Sequence, residues 1–147
     1  MTTEDEAYLR RAIAIALEAR AAGEDPYGSL LVGHDGAILA EDHNTVRSSR
    51  DITAHPELKL ARWAAFELTP EVAAGTTMYT SCEPCILCVG AIERSGLGRV
   101  VYALSTEQFY AREPGEAALR DAVHVEYEGP ALLSEALAPI EGYYPRS

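Results

Sequence analysis

The fold of this chain is set by one stretch of sequence, Thr76-Thr77-Met78-Tyr79-Thr80-Ser81-Cys82-Glu83-Pro84-Cys85-Ile86-Leu87-Cys88. Its first five residues are rich in β-branched and aromatic side chains, which predicts a strand. Pro84 is typical of the first turn of a helix, because a missing N–H costs nothing there. We therefore expect a strand followed directly by a helix from Pro84 to Arg94, which Gly96 ends.

The regions on either side of this stretch predict further helices and strands. Apolar residues at three- and four-residue steps indicate helices, and the Asp35-Gly36 turn between two apolar runs indicates a hairpin. The predicted elements before the stretch are a helix over Glu4 to Ala22, strands at Leu30 to Val32 and Ala37 to Ala40, a loop over Asp42 to Thr53, and a helix over Pro56 to Leu68. Those after it are strands at Arg99 to Ala103 and Val123 to Tyr127, with helices around Glu116 to Asp121 and Leu132 to Leu137.

This order of elements predicts an α/β fold. Strands separated by helices favour parallel pairing, whereas the hairpin makes the start of the sheet antiparallel. We expect a three-layer α/β/α sandwich around a central mixed five-stranded sheet, formed by a single domain over residues 1–147.

Composition and charge narrow the classes of function. The chain has 12 basic and 23 acidic residues and a formal net charge of −11. Because nucleic-acid binding uses clustered Lys and Arg, a small-molecule partner is favoured over a nucleic acid. The acidic first residues do not resemble a signal peptide, and no apolar run approaches the ~20 residues of a membrane helix. We therefore expect a cytoplasmic protein that does not bind membranes.

Three cysteines point to metal binding or redox chemistry rather than to a disulfide scaffold, which normally has an even number. Cys85 and Cys88 are three residues apart, so they would share one face of the predicted helix. The free N–H groups and dipole of a helix start favour thiolates there. On their own they could be a redox pair, part of a structural zinc site or two buried cysteines, and Cys82 could add a third sulfur ligand.

His55-Pro56-Glu57 lies at the start of another predicted helix. Alone, His55 could be a capping or surface histidine and Glu57 a solvent-facing acid. Together with Cys85 and Cys88, His55 would complete three protein ligands, which leave the open position that a catalytic Zn²⁺ requires. Glu57 would then be a carboxylate that transfers protons without binding the metal.

The chain resembles the cytidine-deaminase-like superfamily, whose signature is His-x-Glu followed by Pro-Cys-x-x-Cys. Here the signature is His55 to Glu57 and, 27 positions after Glu57, Pro84 to Cys88. The resemblance is closest to the branch of guanine deaminases and tRNA adenosine deaminases. It rests there on Thr80 to Cys85, on Pro26-Tyr27-Gly28 and on Asn44.

The resemblance implies a zinc-dependent hydrolase that deaminates a small nucleobase or nucleoside, either an amino-purine such as guanine or an amino-pyrimidine such as cytosine. Ammonia would leave after attack by a zinc-bound hydroxide, with Glu57 carrying the protons. The implied substrate contacts also have ordinary structural interpretations, as a turn asparagine, core aromatics and a loop-fixing acid. These residues are Asn44, Tyr27, Glu83 and Phe109.

Two alternatives stay open, and one residue departs from the family. The alternatives are a tRNA adenosine deaminase and a zinc-stabilised binding protein without catalysis. The departure is Pro56, where relatives usually have alanine or glycine and can use the backbone N–H. The family commonly forms dimers, so a homodimer is also expected.

Overall fold

The computed structural model describes residues 1–121 and 125–145. The chain divides into two compact units, Met1–Pro114 and Gly115–Ser147. The first unit contains α1 (Thr3–Ala21), β1 (Gly28–Val32), β2 (Ile38–His43), α2 (Val46–Ser49), α3 (Pro56–Glu67), α4 (Pro70–Ala74), β3 (Thr77–Cys82), α5 (Ile86–Ser95), β4 (Arg99–Leu104) and α6 (Thr106–Arg112). Then follow α7 (Pro114–Asp121), α8 (Leu133–Leu137) and a 3-10 turn, Ala138–Ile140. Among the described residues, no helix is long and apolar enough to cross a membrane.

The sheet is mixed, as the order of elements predicted. Within residues 1–121 and 125–145, it has four strands in the order β2-β1-β3-β4. β1 pairs antiparallel with both β2 and β3, and β3 pairs parallel with β4. The α/β class is therefore confirmed, with helices on both sides of a mixed sheet.

The fifth predicted strand, Val123 to Tyr127, is not found in the part of it that the structure describes. Residues 122–124 lie outside the described part of the chain, and residues 125–127 form no strand. Val125 and Tyr127 are 61% and 87% exposed. Their alternation resembled a half-buried strand, but a strand needs a partner and a buried face to be stable.

The alternation of side chains along the central strands divides the core into two layers. On one face, Leu30, Tyr79 and Val101 pack against α1. On the other, Leu31 and Met78 pack against buried residues of α3 and α5. Because strand side chains alternate between faces, consecutive residues of β1 enter opposite layers, and this strand is buried throughout.

Gly28 permits the close packing of α1 on the start of β1. A Cβ atom at this position would lie 2.6 Å from the backbone nitrogen of Ala16 and 2.7 Å from the carbonyl oxygen of Ala12. Since real Cβ atoms do not approach backbone so closely, any larger residue would push the helix from the strand. Gly28 therefore allows the short distance between α1 and the start of β1.

In α1, Ile13 and Leu17 are 42% and 62% exposed, because Ala12, Ile15 and Ala19 face the sheet instead. Two other details differ from the predicted elements. The predicted loop from Asp42 to Thr53 contains the end of β2 and the short helix α2. Helix α6 was not predicted, although Ser105 and Gln108 form a capping box at its start.

A buried carboxylate joins α1 to strands β3 and β4. Asp5 accepts hydrogen bonds from both terminal nitrogens of Arg99, at 2.9 and 3.0 Å, and from the Tyr79 hydroxyl at 2.6 Å. It also accepts from the backbone N–H of Thr2 in a capping box. The hydrogen bonds from Arg99, and to a smaller extent the one from Tyr79, hold the pKa of Asp5 well below its usual range.

We expect Asp5→Asn to lower the thermal unfolding midpoint by several degrees at neutral pH, because an amide cannot form the charged pair with Arg99. A carboxyl whose pKa is lowered by folding stabilises the protein fully above its unfolded pKa of about 3.9. That contribution is lost as the pH falls through the folded value. The difference between the two proteins should therefore narrow below about pH 4, as followed by calorimetry.

Glu4→Gln is the matched control, because it removes an exposed charge from the same turn of α1. It should change the midpoint little at any pH. A difference between wild type and Asp5→Asn that stays constant down to pH 3 would contradict the assigned pairing.

Candidate functional site

The starts of two helices meet on one face of the sheet. His55 is the N-cap residue of α3, in the extended backbone conformation that a following proline favours, and Pro56 begins the helix. Cys85 is the N-cap residue of α5 and Cys88 lies one turn further along. Neither the His55 nor the Cys85 side chain makes a capping hydrogen bond, so the capping interpretation of His55 does not hold.

His55, Cys85 and Cys88 form a compact group of possible metal ligands. His55 Nδ1 lies 3.5 Å from Cys85 Sγ and 3.4 Å from Cys88 Sγ, and the two sulfurs are 3.8 Å apart. A tetrahedral zinc, with Zn–S of about 2.3 Å and Zn–N of about 2.0–2.1 Å, places two sulfurs about 3.8 Å apart and a sulfur and a nitrogen about 3.5 Å apart. The donor types and their spacing therefore fit zinc.

The third cysteine is outside this group. Cys82 lies at the end of β3 and is partly buried, and the cluster found among the described residues does not include it. The hydrogen bond that Cys85 shares with Cys88 lowers the pKa of the Cys85 thiol, and the nearby His55 acts in the same direction. The pair is therefore prepared to supply a thiolate, which is the form that binds metal.

Glu57 lies in the first turn of α3 and is buried, with 7% of its surface exposed. Burial raises the pKa of Glu57 to about 7, and the charge of Cys85 adds to this shift. Hydrogen bonds from its own backbone and from Ser29 partly oppose it. A carboxyl with a pKa near neutrality can both accept and donate a proton under ordinary conditions.

The sequence interpretation missed the role of two polar residues near Glu57. Ser29 hydrogen-bonds to Glu57, and Thr80 hydrogen-bonds to Ser29. Ser29 and Thr80 are almost fully buried, and their hydroxyls share a hydrogen bond of 2.8 Å between neighbouring strands. A serine just before the apolar run Leu30 to Val32 was a signal in the sequence. Its pairing with Thr80 was not, because that depends on the antiparallel register of β1 and β3.

Two of the predicted substrate contacts lie in loops that are joined near the cluster. The backbone N–H of Asn44 donates to the carbonyl of Tyr27 at 3.0 Å, and the next residue, Thr45, donates to the carbonyl of Ala54, the residue before His55. Asn44 is buried and its Oδ1 accepts from the N–H of Val46, which is an Asx-turn geometry. The turn interpretation of Asn44 thus describes part of what it does, and a role toward substrate stays a prediction.

The other predicted residues have separate positions. Glu83 accepts from the backbone N–H of Thr106 at 3.1 Å, so its carboxylate joins the loop before α5 to the start of α6. Phe109 is a partly buried residue of α6 with its ring centroid 5.8 Å from that of Tyr110. Pro56 is fully buried at the first position of α3. Substrate contact by Glu83 and Phe109 stays a prediction.

Residues 2–104 match the cytidine and deoxycytidylate deaminase zinc-binding region, and the chain belongs to this family. The match contains the cluster and Glu57. The protein is therefore a zinc-dependent deaminase, a hydrolase that acts on C–N bonds, and zinc is its metal.

Relatives within the family differ in how much of this chain they match. Guanine deaminase of Bacillus subtilis is 35% identical, with 94% of this chain and 92% of that protein covered, and its crystal structure superposes with a TM-score of 0.74 over 97% of this chain and 94% of that one. The "Probable cytosine deaminase" of Schizosaccharomyces pombe is 31% identical, with 98% and 94% covered. The tRNA-specific adenosine deaminase of Agrobacterium fabrum is 36% identical, but only 67% of this chain and 66% of that protein are covered.

Proposed function

We propose that this protein deaminates a free nucleobase, an amino-purine such as guanine or an amino-pyrimidine such as cytosine, with water as the second substrate and ammonia as a product. The observation that carries the proposal is the cluster of His55, Cys85 and Cys88 with the buried carboxylate of Glu57 beside it. A non-catalytic zinc-stabilised protein would have no need of a buried acid with a raised pKa at this place.

In this proposal His55, Cys85 and Cys88 hold the zinc ion. Zinc in such a site supplies the Lewis acidity that makes water nucleophilic at neutral pH. Glu57 accepts a proton from the water as its oxygen bonds to the ring carbon that bears the amino group, and delivers it to the adjacent ring nitrogen. Glu57 then takes the proton of the newly formed hydroxyl group and transfers it to the amino group, as the C–N bond breaks, ammonia leaves and a carbonyl remains on the ring. One carboxylate suffices because it acts as base and acid in turn.

The surrounding residues would bind and orient the base. Asn44 supplies amide N–H donors for a ring nitrogen or carbonyl, since its Oδ1 is already engaged by Val46. Tyr27 supplies an aromatic face next to Asn44. Because Pro56 has no N–H, a substrate carbonyl that other members bind through that backbone position would need another donor here.

Two observations favour a free base over tRNA. The relatives that match 94% and 98% of this chain bear the names of guanine and cytosine deaminases, whereas the tRNA adenosine deaminase matches only 67%. The net charge of −11 also opposes the approach of a polyanion. We therefore assign the small molecule as substrate and the tRNA activity as the second candidate.

We expect the zinc-loaded protein to release ammonia from at least one member of a panel of guanine, adenine, cytosine and their nucleosides, measured by a coupled ammonia assay. It should release none from the anticodon arm of a tRNA, even at low salt, where electrostatic binding is strongest. If the protein acts on tRNA and on no small molecule of the panel, the tRNA adenosine deaminase becomes the preferred function. Silence on both would contradict the assigned substrate class.

Three further expectations from the sequence remain proposals. These are a homodimer, a cytoplasmic location and one deaminase domain over residues 1–147. Light scattering of the purified protein at several concentrations measures the first of these directly.

A further inference from the structure

Lys59 is a charged residue of α3 in an unusually enclosed position. It lies two residues after Glu57, and only 17% of its side-chain surface is exposed. Its ammonium donates to Asp42 Oδ1 at 3.0 Å, to the carbonyl oxygen of His43 at 2.8 Å and to Thr45 Oγ1 at 3.0 Å. An ammonium has three N–H donors, so each donor has a partner.

The three acceptors of Lys59 have one feature in common. They belong to residues 42, 43 and 45, which lie immediately on both sides of Asn44. Asn44 itself is held at its backbone by Tyr27 and at its side chain by Val46. The ammonium therefore connects the segment that contains Asn44 to the helix that contains Glu57.

Enclosing the Lys59 ammonium costs free energy, and filling this space would not by itself require a charged residue. Removing an ammonium from water is unfavourable, and an apolar residue of similar volume would fill the same space without that cost. The partner Asp42 is 33% exposed, and a pair of this kind contributes little net stability after screening by solvent. The arrangement is better explained by the geometry it imposes on residues 42–45.

We infer that Lys59 is a positioning residue for deamination, which fixes Asn44 relative to Glu57 so that the base is held in the orientation the proton transfers require. The inference rests on the proposed function, because it takes Asn44 as a substrate contact. Lys59 acts through the loop and does not touch the reacting atoms. Since misplacement of a binding group by about 1 Å can reduce a rate by ~10²-fold, the loss of this connection should be visible in turnover.

The test compares Lys59→Met with wild type and with Arg62→Met. Methionine keeps the length and helix propensity of the side chain but has no donors. Arg62→Met removes a cation from the same helix at an exposed position. For Lys59→Met we expect kcat/KM to fall on the order of 10- to 100-fold, mainly through kcat, with zinc content and unfolding midpoint close to those of wild type. Arg62→Met should be within twofold of wild type, about the scatter of ordinary surface changes.

A double-mutant cycle with Asn44→Ala separates positioning from a general structural effect. If Lys59 acts through Asn44, adding Lys59→Met to Asn44→Ala should reduce kcat/KM little further. If the two substitutions lower kcat/KM independently, so that their factors multiply in the double variant, the inference is overturned and the proposed function stands. The same holds if Lys59→Met is as active as wild type. A loss of zinc or of folding that accounts for the whole decrease would overturn it too. Silence of wild type on the whole base panel would instead overturn the proposed function, and this inference with it.

Discussion

Glu57→Gln is expected to reduce kcat by about 10²- to 10⁴-fold while the protein keeps its zinc and its fold. Glutamine has nearly the same shape, so the packing around this buried position is preserved. It cannot accept a proton from water or deliver one to the leaving amine. Steady-state kinetics on the preferred base, with zinc measured by atomic absorption on the same sample, gives both quantities.

Glu67→Gln is the matched control for this change. Glu67 is the last residue of the same helix and is exposed, so the substitution removes one negative charge from α3 without touching the site. Its kcat should equal that of wild type. If Glu57→Gln retains activity within a few-fold of wild type, Glu57 is not the proton carrier, and a zinc-stabilised protein with another activity becomes the better interpretation.

Cys88→Ser is expected to have the second large effect, on zinc rather than on one chemical step. Cys88 is fully buried between α3 and the sheet, so no solvent ligand can easily replace its sulfur. Removing a residue that only hydrogen-bonds to a metal ligand already lowers metal affinity ~10–100-fold, and removing a ligand itself should lower the affinity further. We expect purified Cys88→Ser to contain little zinc, to show no measurable deamination and to unfold at a lower temperature than wild type.

The chain offers an internal control for the cysteine chemistry. Cys82→Ser changes the third cysteine, which lies at the end of β3 outside the cluster. It should keep full zinc content and most of the activity. If Cys82→Ser loses zinc as completely as Cys88→Ser, the ligand set is different from the one proposed, and Cys82 belongs to it.

The chemistry of the site could be predicted from local sequence, because each part of it is local. The type of donor is a property of the residue, and a proline stands near each helix start. Pro56 is the first residue of α3, whereas Pro84 precedes the N-cap residue Cys85 of α5 and does not lie in the first turn, where it was predicted. The strand-then-helix pattern from Thr76 to Arg94 was local in the same way, and the structure confirms it with shifted ends. The resemblance to zinc deaminases rested on these short motifs, and the family match confirms it.

Elements that depend on distant partners were predicted less well. The alternating residues of Val123 to Tyr127 indicated a strand, yet the described part forms none, since alternation does not provide a neighbouring strand. Ile13 and Leu17 are exposed although they are apolar, because the contact of α1 with the sheet at Gly28 brings the alanine-rich face inward. A short capped helix such as α6 contains too few residues to show a periodic pattern.

The candidate zinc site of His55, Cys85 and Cys88 depends on both the local sequence and the tertiary structure. The sequence by itself determined which atoms could bind zinc and which carboxylate could move a proton, because these are properties of residue types at helix starts. Only the tertiary structure decided that the two helix starts lie within bonding reach of one ion and that Glu57 is buried beside Ser29. It also decided that the Lys59 ammonium binds the residues on both sides of Asn44. Those features arise from packing between segments far apart in the chain, and no local pattern encodes the distances between them.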